Sequence, residues 1–286
     1  MRQAILVMNN GGFDTLQQTI NLLDDKDIDF YIYAKNDGSL TAKNSKLNFV
    51  GCNKKVHSQT FAELVEEKLL INQALKGDYE YFHLISSNDF PLMNKQYFKD
   101  YFASKPVKLG FVEFSDSQDH NSQAFYYPFN NFNYQRLWSA FLFVKICMLL
   151  NHIFGVERIA SKDVVKGCPY FSLPRKYVTQ LDEQKVDNYR HTINPKDFFA
   201  QTALKDLKTD NPEYTINSNR FNLMKAYSAS ARYANYLRRK KLNWFDEKAY
   251  QFSDADKDEL KDAVNSDYAF AHNVCDAKDL TSLLKD

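Results

Sequence analysis

The chain lacks the cysteine spacing and the charge excess that mark several protein classes. Its 286 residues contain four cysteines that are far apart and form no Cys-x-x-Cys or Cys/His ligand spacing. They are Cys52, Cys147, Cys168 and Cys275. Reduced thiols in a cytoplasmic protein are the simplest interpretation. The formal net charge is +1, which gives no reason to expect nucleic acid or an acidic partner.

Long hydrophobic runs are also missing. The first residues offer only a short apolar run at residues 4–8, so we expect no signal peptide. The longest apolar segment, residues 138–156, is interrupted by Lys145, Asn151 and His152. It falls short of the ~20 apolar residues that a membrane span requires. We interpret it as a buried or interfacial helix.

Several nucleotide and metal motifs are absent as well. The chain has no Gly-x-Gly-x-x-Gly after a strand, no Walker A loop, no His-Glu-x-x-His and no Gly-x-Ser-x-Gly. No Asp-x-Asp triplet follows an early strand. The late triplet Asp254-Ala255-Asp256 lies in an acidic stretch that opens a helix, so we interpret it as a helix cap and not as a Mg²⁺ site.

What the sequence does contain is an alternation of strands and helices. Apolar spacing predicts strands at residues 4–10, 29–38, 79–86 and 108–114, and helices at residues 15–25, 58–75 and 94–103. Ser58 is a candidate cap for the amphipathic second helix. This alternation favours an α/β fold with a mostly parallel sheet, and no linker divides the chain. We therefore expect one domain.

One strand ends in an unusual polar knot. Residues 81–92 read YFHLISSNDFPL, an apolar run followed by Ser86, Ser87, Asn88 and Asp89. In parallel sheets the ligand crevice lies beyond the carboxyl ends of the strands. The knot is therefore a candidate edge of a binding site.

Two later regions are irregular. Residues 121–138 are rich in aromatic residues and Asn without a clear period, which suits either a binding loop or a loop that covers the sheet. Residues 220–250 hold eight Lys/Arg against two Asp/Glu, and residues 251–286 hold four against nine. A basic patch followed by an acidic segment is one hypothesis for this part.

Five stretches in order resemble the core-2/I-branching β-1,6-N-acetylglucosaminyltransferase family. Residues 81–92 resemble its YxHLLSgqDfPL pattern, GCPYFSLPRKYV resembles GSxWFxLTReYV, and NPKDFFAQT resembles SPDExxxxT. LRRKKLNW resembles an LRxxxW region, and FAHNVCD echoes FARKFD. The resemblance spans residues 4–276.

The resemblance implies a GT-A-like single domain with a mostly parallel central sheet, flanking helices and an irregular acceptor-binding C-terminal half. Residues 1–110 would bind the nucleotide-sugar, and residues 111–286 would bind the acceptor and carry catalysis. Family members transfer a sugar with inversion, which requires a carboxylate that takes the proton of the attacking hydroxyl. Asp197 stands at the position of the family's Glu base. The alternative is that Asp197 caps the helix that follows.

The family needs no metal, because an Arg and a Lys near the C-terminus stabilise the leaving diphosphate. Here Asn273 replaces that Lys, and the Arg-bearing segment is shortened. The candidates for donor binding are therefore Lys248, His272, Asn273, Arg238, Arg239 and Arg175. The run RRKK could instead be a solvated face or a contact to anionic lipid.

The resemblance also places other binding residues. Glu113 matches an acceptor-binding carboxylate, and Trp244 matches an aromatic that stacks on the acceptor ring, although core packing is the alternative for Trp244. Lys35 stands where an Asp is expected, so Asp37 is the candidate for the uridine or ribose. Asp89, with Ser86, is expected to organise the crevice loop by accepting backbone N–H bonds.

The chain thus resembles a bacterial relative in the cytoplasm, or peripheral at the inner membrane face. The implied donor is UDP-N-acetylglucosamine or a UDP-linked galactose or galactofuranose, and the acceptor is a lipid-linked glycan of surface polysaccharide synthesis. No cofactor, metal or nucleic acid is implied. Two alternatives stay open: a noncatalytic nucleotide- or glycan-binding module, and a membrane-associated scaffold.

Overall fold

The structure is a computed structural model. It describes residues 1–9, 13–35, 38–51, 56–104, 111–112, 121–132, 138–159, 164–206, 251–266, 268–275 and 277–284.

Strands and helices alternate through the first half, as predicted. The strands are β1 Gln3–Met8, β2 Ile28–Ile32, β3 Leu47–Phe49, β4 Tyr81–Ser86, β5 Phe90–Pro91, β6 Phe111–Val112, β7 Phe171–Pro174 and β8 Phe270–Ala271. The described helices are α1 Asp14–Leu23, α2 Phe61–Ala74, α3 Lys95–Ser104, α4 Asn121–Ala124, α5 Trp138–Ile153, α6 Arg175–Glu183, α7 Lys196–Ala203 and α8 Lys257–Lys261.

Six strands form one sheet in the order β3-β2-β1-β4-β7-β6. The strands β3, β2, β1 and β4 are parallel, whereas β7 runs antiparallel to β4 and β6 antiparallel to β7. The predicted α/β class with a mostly parallel sheet is confirmed. The antiparallel pair comes from the second half of the chain, so both halves contribute to a single sheet. The strands β5 and β8 form a separate small ribbon.

Helices cover both faces of the sheet. Along β1, Ile5 and Val7 face the core that includes Leu16 of α1 and Phe98 of α3. The alternate residues Ala4 and Leu6 face the core built with α2, α6 and α7. Side chains alternate along a strand, so both faces of β1 must be apolar, and every residue of β1, β2 and β4 is buried.

One histidine ties the middle of the sheet together. His83 of β4 contacts Ser172 Oγ of β7 through Nδ1 at 2.9 Å and Gln3 Oε1 of β1 through Nε2 at 2.9 Å. The side chain is fully buried and both ring nitrogens have partners. This histidine of the YFHL stretch is therefore a structural residue.

The amphipathic pattern predicted for α2 is wrong in part. An amphipathic helix should bury its apolar residues and expose its charged ones, yet the side chain of Leu69 is 40% exposed, while Glu63, Glu66 and Glu67 are buried. Ser58 is not the N-cap: the helix begins after Thr60, whose hydroxyl donates to the His57 carbonyl at 2.6 Å. The inward carboxylates define the site described below.

The acidic triplet forms a helix cap, as predicted. The stretch Asp254–Asp256 is a 3₁₀ turn closed by a capping box, in which Ser253 N–H donates to Asp256 Oδ2 at 3.0 Å. The helix α8 follows directly. Within the described residues we find no helix that combines the length and apolar character needed to cross a membrane.

Candidate functional site

The candidate site lies at the edge of the sheet where the parallel strands end. The knot after β4 is joined to the end of β1, because Ser87 N–H donates to the Met8 carbonyl at 2.8 Å. The start of α2 and the segment before β7 reach the same edge, since α2 runs back toward the start of β4 and β7 runs antiparallel to it. Ligands of open α/β sheets bind in this crevice.

Asp89 holds the loop at this edge. Its carboxylate is fully buried, and Oδ2 accepts the Ser86 N–H at 3.0 Å. Oδ1 accepts from His272 Nδ1 at 2.7 Å and from the Asn273 N–H at 3.3 Å. These contacts are those of a carboxylate that organises a loop by accepting backbone N–H groups, the role predicted for Asp89. They also bring the C-terminal FAHN stretch to the polar knot.

A chain of contacts leads from Asp89 to α7. The ring of His272 lies 4.9 Å from the ring of Tyr170, centroid to centroid. The ammonium of Lys196 lies 5.7 Å from the centroid of that Tyr170 ring. Lys196 is the first residue of α7, and Asp197 follows it. The structure therefore places His272, Asp89 and the neighbour of Asp197 in one continuous cluster.

Lys196 is buried against the carboxylates of α2. Its Nζ lies 2.6 Å from Glu63 Oε1, and the exposed fractions of the two side chains are 11% and 4%. Burial alone disfavours the charged ammonium, but the charges of Glu63, Tyr170 and Asp197 outweigh it and raise the pKa of Lys196. Glu63 Oε2 also accepts the Gln59 N–H at 2.5 Å.

The next two glutamates of α2, Glu66 and Glu67, have raised pKa values. Burial, reinforced by the charge of Glu63, raises the pKa of Glu66 to about 7, although a hydrogen bond to Tyr33 opposes the shift. Burial raises the pKa of Glu67 to about 8 despite the attraction of Lys196. Glu67 Oε1 has no hydrogen-bond partner within the described part of the chain. At neutral pH Glu67 therefore carries a proton, because burial disfavours its charged form more than Lys196 favours it.

Asp197 lies in the first turn of α7 and is partly exposed. Its N–H donates to the Asn194 carbonyl at 3.0 Å, and its carbonyl accepts the Gly167 N–H at 2.8 Å. The N-cap position of α7 is occupied by Pro195 and no side-chain cap bond is present, so the capping role considered for Asp197 is not the one observed. A carboxylate in the first turn is stabilised in its charged form by the helix dipole.

The loops around the cluster hold strained backbone. Gln59, Asn194 and Asn273 have φ values of 63°, 51° and 63°, in the left-handed region. The first two are joined, since Asn194 N–H donates to the Gln59 carbonyl at 3.1 Å. Asn tolerates this conformation, whereas Gln59 adopts it at a cost of roughly 1–3 kcal/mol. Such strain concentrates at functional sites.

Arg175 is not part of this cluster. It begins α6 at the opposite end of the sheet, where its N–H donates to the Glu80 carbonyl just before β4. Its guanidinium donates to the carbonyls of Tyr79 at 2.7 Å, Leu75 at 3.2 Å and Gly77. The length of β4, roughly 16 Å over five residues, separates it from Ser86. The prediction that Arg175 holds the diphosphate does not fit this position.

The remaining predicted site residues lie outside the described residues. They are Asp37, Glu113, Arg238, Arg239, Trp244 and Lys248. Their predicted roles in donor and acceptor binding stay predictions.

The sequence predictions missed the other half of the cluster. Tyr170 and Lys196 lie inside the stretches that carried the resemblance, and Glu63, Glu66 and Glu67 lie on α2. Three glutamates in five residues of a helix with apolar residues on all sides were the available signal. Within the described part, no group of three or more His, Cys, Asp or Glu side chains is arranged to hold a metal ion.

Comparison with known proteins gives little further information. No protein-family model matches the chain, and no curated protein matches it. Solved structures that match include HddC from Yersinia pseudotuberculosis, at 12% identity and a TM-score of 0.23 over 41% of this chain. HddC from the same organism complexed with GMP-PN matches at 11% identity and a TM-score of 0.25 over 44% of this chain. The chain spans less than two thirds of those chains, 65% and 64% of their lengths.

Proposed function

We propose that the chain is an inverting, metal-independent glycosyltransferase of the core-2/I-branching type. It would transfer N-acetylglucosamine, galactose or galactofuranose from a UDP-sugar to a hydroxyl of a lipid-linked glycan in bacterial surface polysaccharide synthesis. One observation carries the proposal: parts of four of the stretches that resemble the family meet at the carboxyl edge of the sheet. They are the parts around Asp89, Tyr170, Lys196 and His272, which are distant in sequence.

Asp197 is the proposed general base. Inversion requires a carboxylate that accepts the proton of the attacking hydroxyl while the nucleotide leaves from the opposite face of the sugar. Asp197 lies in the first turn of α7, directly after Lys196, and both the helix dipole and a nearby ammonium favour a carboxylate over a carboxylic acid. Its partial exposure leaves the carboxylate within reach of an acceptor.

Lys196 would lower the proton affinity of Asp197 if it acted unopposed. The ion pair with Glu63 at 2.6 Å counters that effect, because Glu63 offsets the positive charge. We assign Glu63 as a positioning residue, because its ion pair with Lys196 sets the local charge beside Asp197.

His272 is the proposed contact to the leaving diphosphate. Asp89 accepts from Nδ1 and therefore fixes the orientation of the ring, while the packing against Tyr170 fixes its plane. With Nδ1–H bound to Asp89, the ring donates to the diphosphate in its imidazolium form, through Nε2–H. A fixed donor aimed at developing negative charge stabilises it without reorganisation. The backbone of Asn273 is held by the same carboxylate, which places both residues of the FAHN stretch at the crevice.

A thermal-shift screen tests the proposal. We expect UDP and UDP-sugars to raise the melting temperature by a few degrees in EDTA as well as without it, because a ligand at 100 times its Kd stabilises by about 2.7 kcal/mol. GDP and CMP should give smaller shifts. Absence of any shift with UDP-sugars, or its loss in EDTA, would contradict the proposal.

A matched pair of variants localises the binding. His272→Ala should reduce the UDP shift, whereas His152→Ala, on exposed surface at the end of α5, should leave it intact. Equal shifts in both variants would show that the nucleotide binds elsewhere. A UDP shift without turnover of any donor would favour the noncatalytic binding module.

A further inference from the structure

The helix α5 carries an apolar face that the described residues do not cover. Six of its side chains are 41–63% exposed and recur at helical spacing, and Phe154, directly after the helix, is 74% exposed. The six are Leu142, Phe143, Ile146, Leu149, Leu150 and Ile153. We call these six residues and Phe154 the α5 outer face. Apolar patches of this kind mark interaction sites.

The opposite side of α5 is fixed to the protein. Val144 and Cys147 pack with Tyr127 and Ile193 in a small core. Asn151 is buried and bonds to the backbone of Tyr126 in both directions, through Nδ2 and Oδ1 at 2.8 Å each. Rotating α5 to hide its outer face would break these bonds, each of which contributes roughly 0.5–1.5 kcal/mol net, and would expose the apolar side chains of this core. The outer face is therefore held outward.

We propose that the α5 outer face is a membrane-docking surface, which inserts its side chains at the headgroup boundary of a lipid bilayer. Residues 138–156 contain no Asp or Glu, and the basic side chains there are Lys145 and His152. An anionic surface thus meets no repulsion along the helix. Amphipathic helices that lie in the interface bury an apolar face roughly 5–10 Å deep in this way.

A second copy of the chain fits this surface less well. Stable protein interfaces use roughly 20–30 residues on each partner, with a polar rim around an apolar centre. The outer face supplies only seven side chains, on a helix of 16 residues and the residue after it. A patch of so few side chains suits insertion between lipid headgroups better than a pairing of two surfaces.

The position of α5 near the site connects membrane docking with the transfer reaction. This connection rests on the proposed function. Ile193, which α5 packs on, precedes Asp197 by four residues, so their Cα atoms are at most about 15 Å apart. A glycan carried on a lipid would emerge beside α5, close to the proposed base. The structure thus favours an acceptor presented from the bilayer over one that diffuses freely.

Vesicle flotation with the purified full chain tests the docking. The protein should float with phosphatidylcholine vesicles, and more of it with vesicles that also contain phosphatidylglycerol. Leu149→Asp removes a side chain that is 59% exposed on the outer face, and Leu69→Asp is its control, with a leucine 40% exposed on α2. We expect Leu149→Asp to lower the partition coefficient about ten-fold or more, and Leu69→Asp to leave it unchanged.

Three outcomes would overturn the docking proposal. The wild-type protein could stay unbound with both vesicle types, or both variants could float equally well. Sedimentation velocity could also show a dimer that Leu149→Asp dissociates, which would assign the outer face to a second copy. The UDP thermal shift is read on the same variants: flotation without that shift would defeat the proposed function and leave the docking intact, and the reverse result would do the opposite.

Discussion

The two ends of the central sheet both carry polar groups. These groups have complementary partners at the amino end, whereas at the carboxyl end the carboxylates have too few cations. At the amino end, Arg175 donates to the carbonyls of Tyr79, Leu75 and Gly77. Asp29 there pairs with Arg2 at 2.9 Å and accepts from the Tyr79 hydroxyl at 2.7 Å. Each of these groups has a partner of complementary charge or polarity, so this end of the sheet serves stability.

At the carboxyl end, by contrast, carboxylates outnumber cations. Glu63, Glu66, Glu67 and Asp197 surround Lys196, and two of the glutamates have raised pKa values. Buried titratable groups in this state lower the stability of a fold, and such groups cluster at functional sites. The number of polar residues therefore does not distinguish the two ends of the sheet. What distinguishes them is whether each charged group has a partner of opposite charge.

The largest effect is expected from Glu67→Gln. The pKa of Glu67 is about 8 in the folded protein against an ordinary value of 4.5, so between these pH values the folded state binds the proton and the unfolded state does not. The stability that this proton provides is complete below pH 4.5 and lost as pH rises through about 8. The contribution of Glu67 to the free energy of unfolding should thus fall by roughly 5 kcal/mol across this window.

Urea unfolding at several pH values measures this effect. Glu67→Gln should flatten the pH dependence and be more stable than the wild type at pH values above the pKa of Glu67. Glu80→Gln, at an exposed position, is the control and should retain the wild-type slope. An unchanged slope in Glu67→Gln would show that the glutamate is not held neutral.

Arg175→Ala, at the amino end of the sheet, should destabilise the protein, whereas Glu67→Gln should stabilise it at high pH. It removes charge-assisted bonds to three carbonyls and should lower the free energy of unfolding by about 3 kcal/mol. Arg190→Ala, whose side chain is 50% exposed, should cost much less. The UDP thermal shift should persist in folded Arg175→Ala; its loss would restore Arg175 as a diphosphate ligand.

Asp89→Asn is expected to lower the free energy of unfolding by about 2 kcal/mol. The NH₂ group of the new amide would face an N–H donor that the carboxylate accepts from in the wild type. The substitution should also weaken the UDP shift, since the loop that carries His272 and Asn273 is released. Asp254→Asn is the matched control, because Asp254 also accepts two backbone N–H groups, from Asp279 and Leu280, outside the site. A full UDP shift in Asp89→Asn would separate this loop from nucleotide binding.

Much of the fold could be predicted because apolar periodicity determines it. The strands β1 and β4 are buried on both faces, and a continuous apolar run of this length is compatible with few other structures. The antiparallel β7 and the two-residue β6 could not be predicted in the same way, since short strands owe their state to their neighbours. The orientation of α5 was equally inaccessible, because a helix that is apolar on all sides does not specify its buried face.

The site could be predicted only where a resemblance existed. Asp89 and His272 were found through motifs, and the structure joins them at 2.7 Å. Glu63, Glu66 and Glu67 were missed because periodicity assigns glutamate to the outside of a helix. In the first two turns of α2 these glutamates are buried instead. The burial of a carboxylate depends on partners that are distant in sequence, such as Lys196 for Glu63.

The most direct test of the central claim is donor turnover by Asp197→Asn beside Asp187→Asn. Asp187 is exposed in a surface turn, so its substitution controls for the loss of a charge. Loss of a general base typically reduces the rate by about 10²–10⁴, and we expect a reduction of this size in Asp197→Asn with the UDP thermal shift retained. Full turnover by Asp197→Asn would contradict the account.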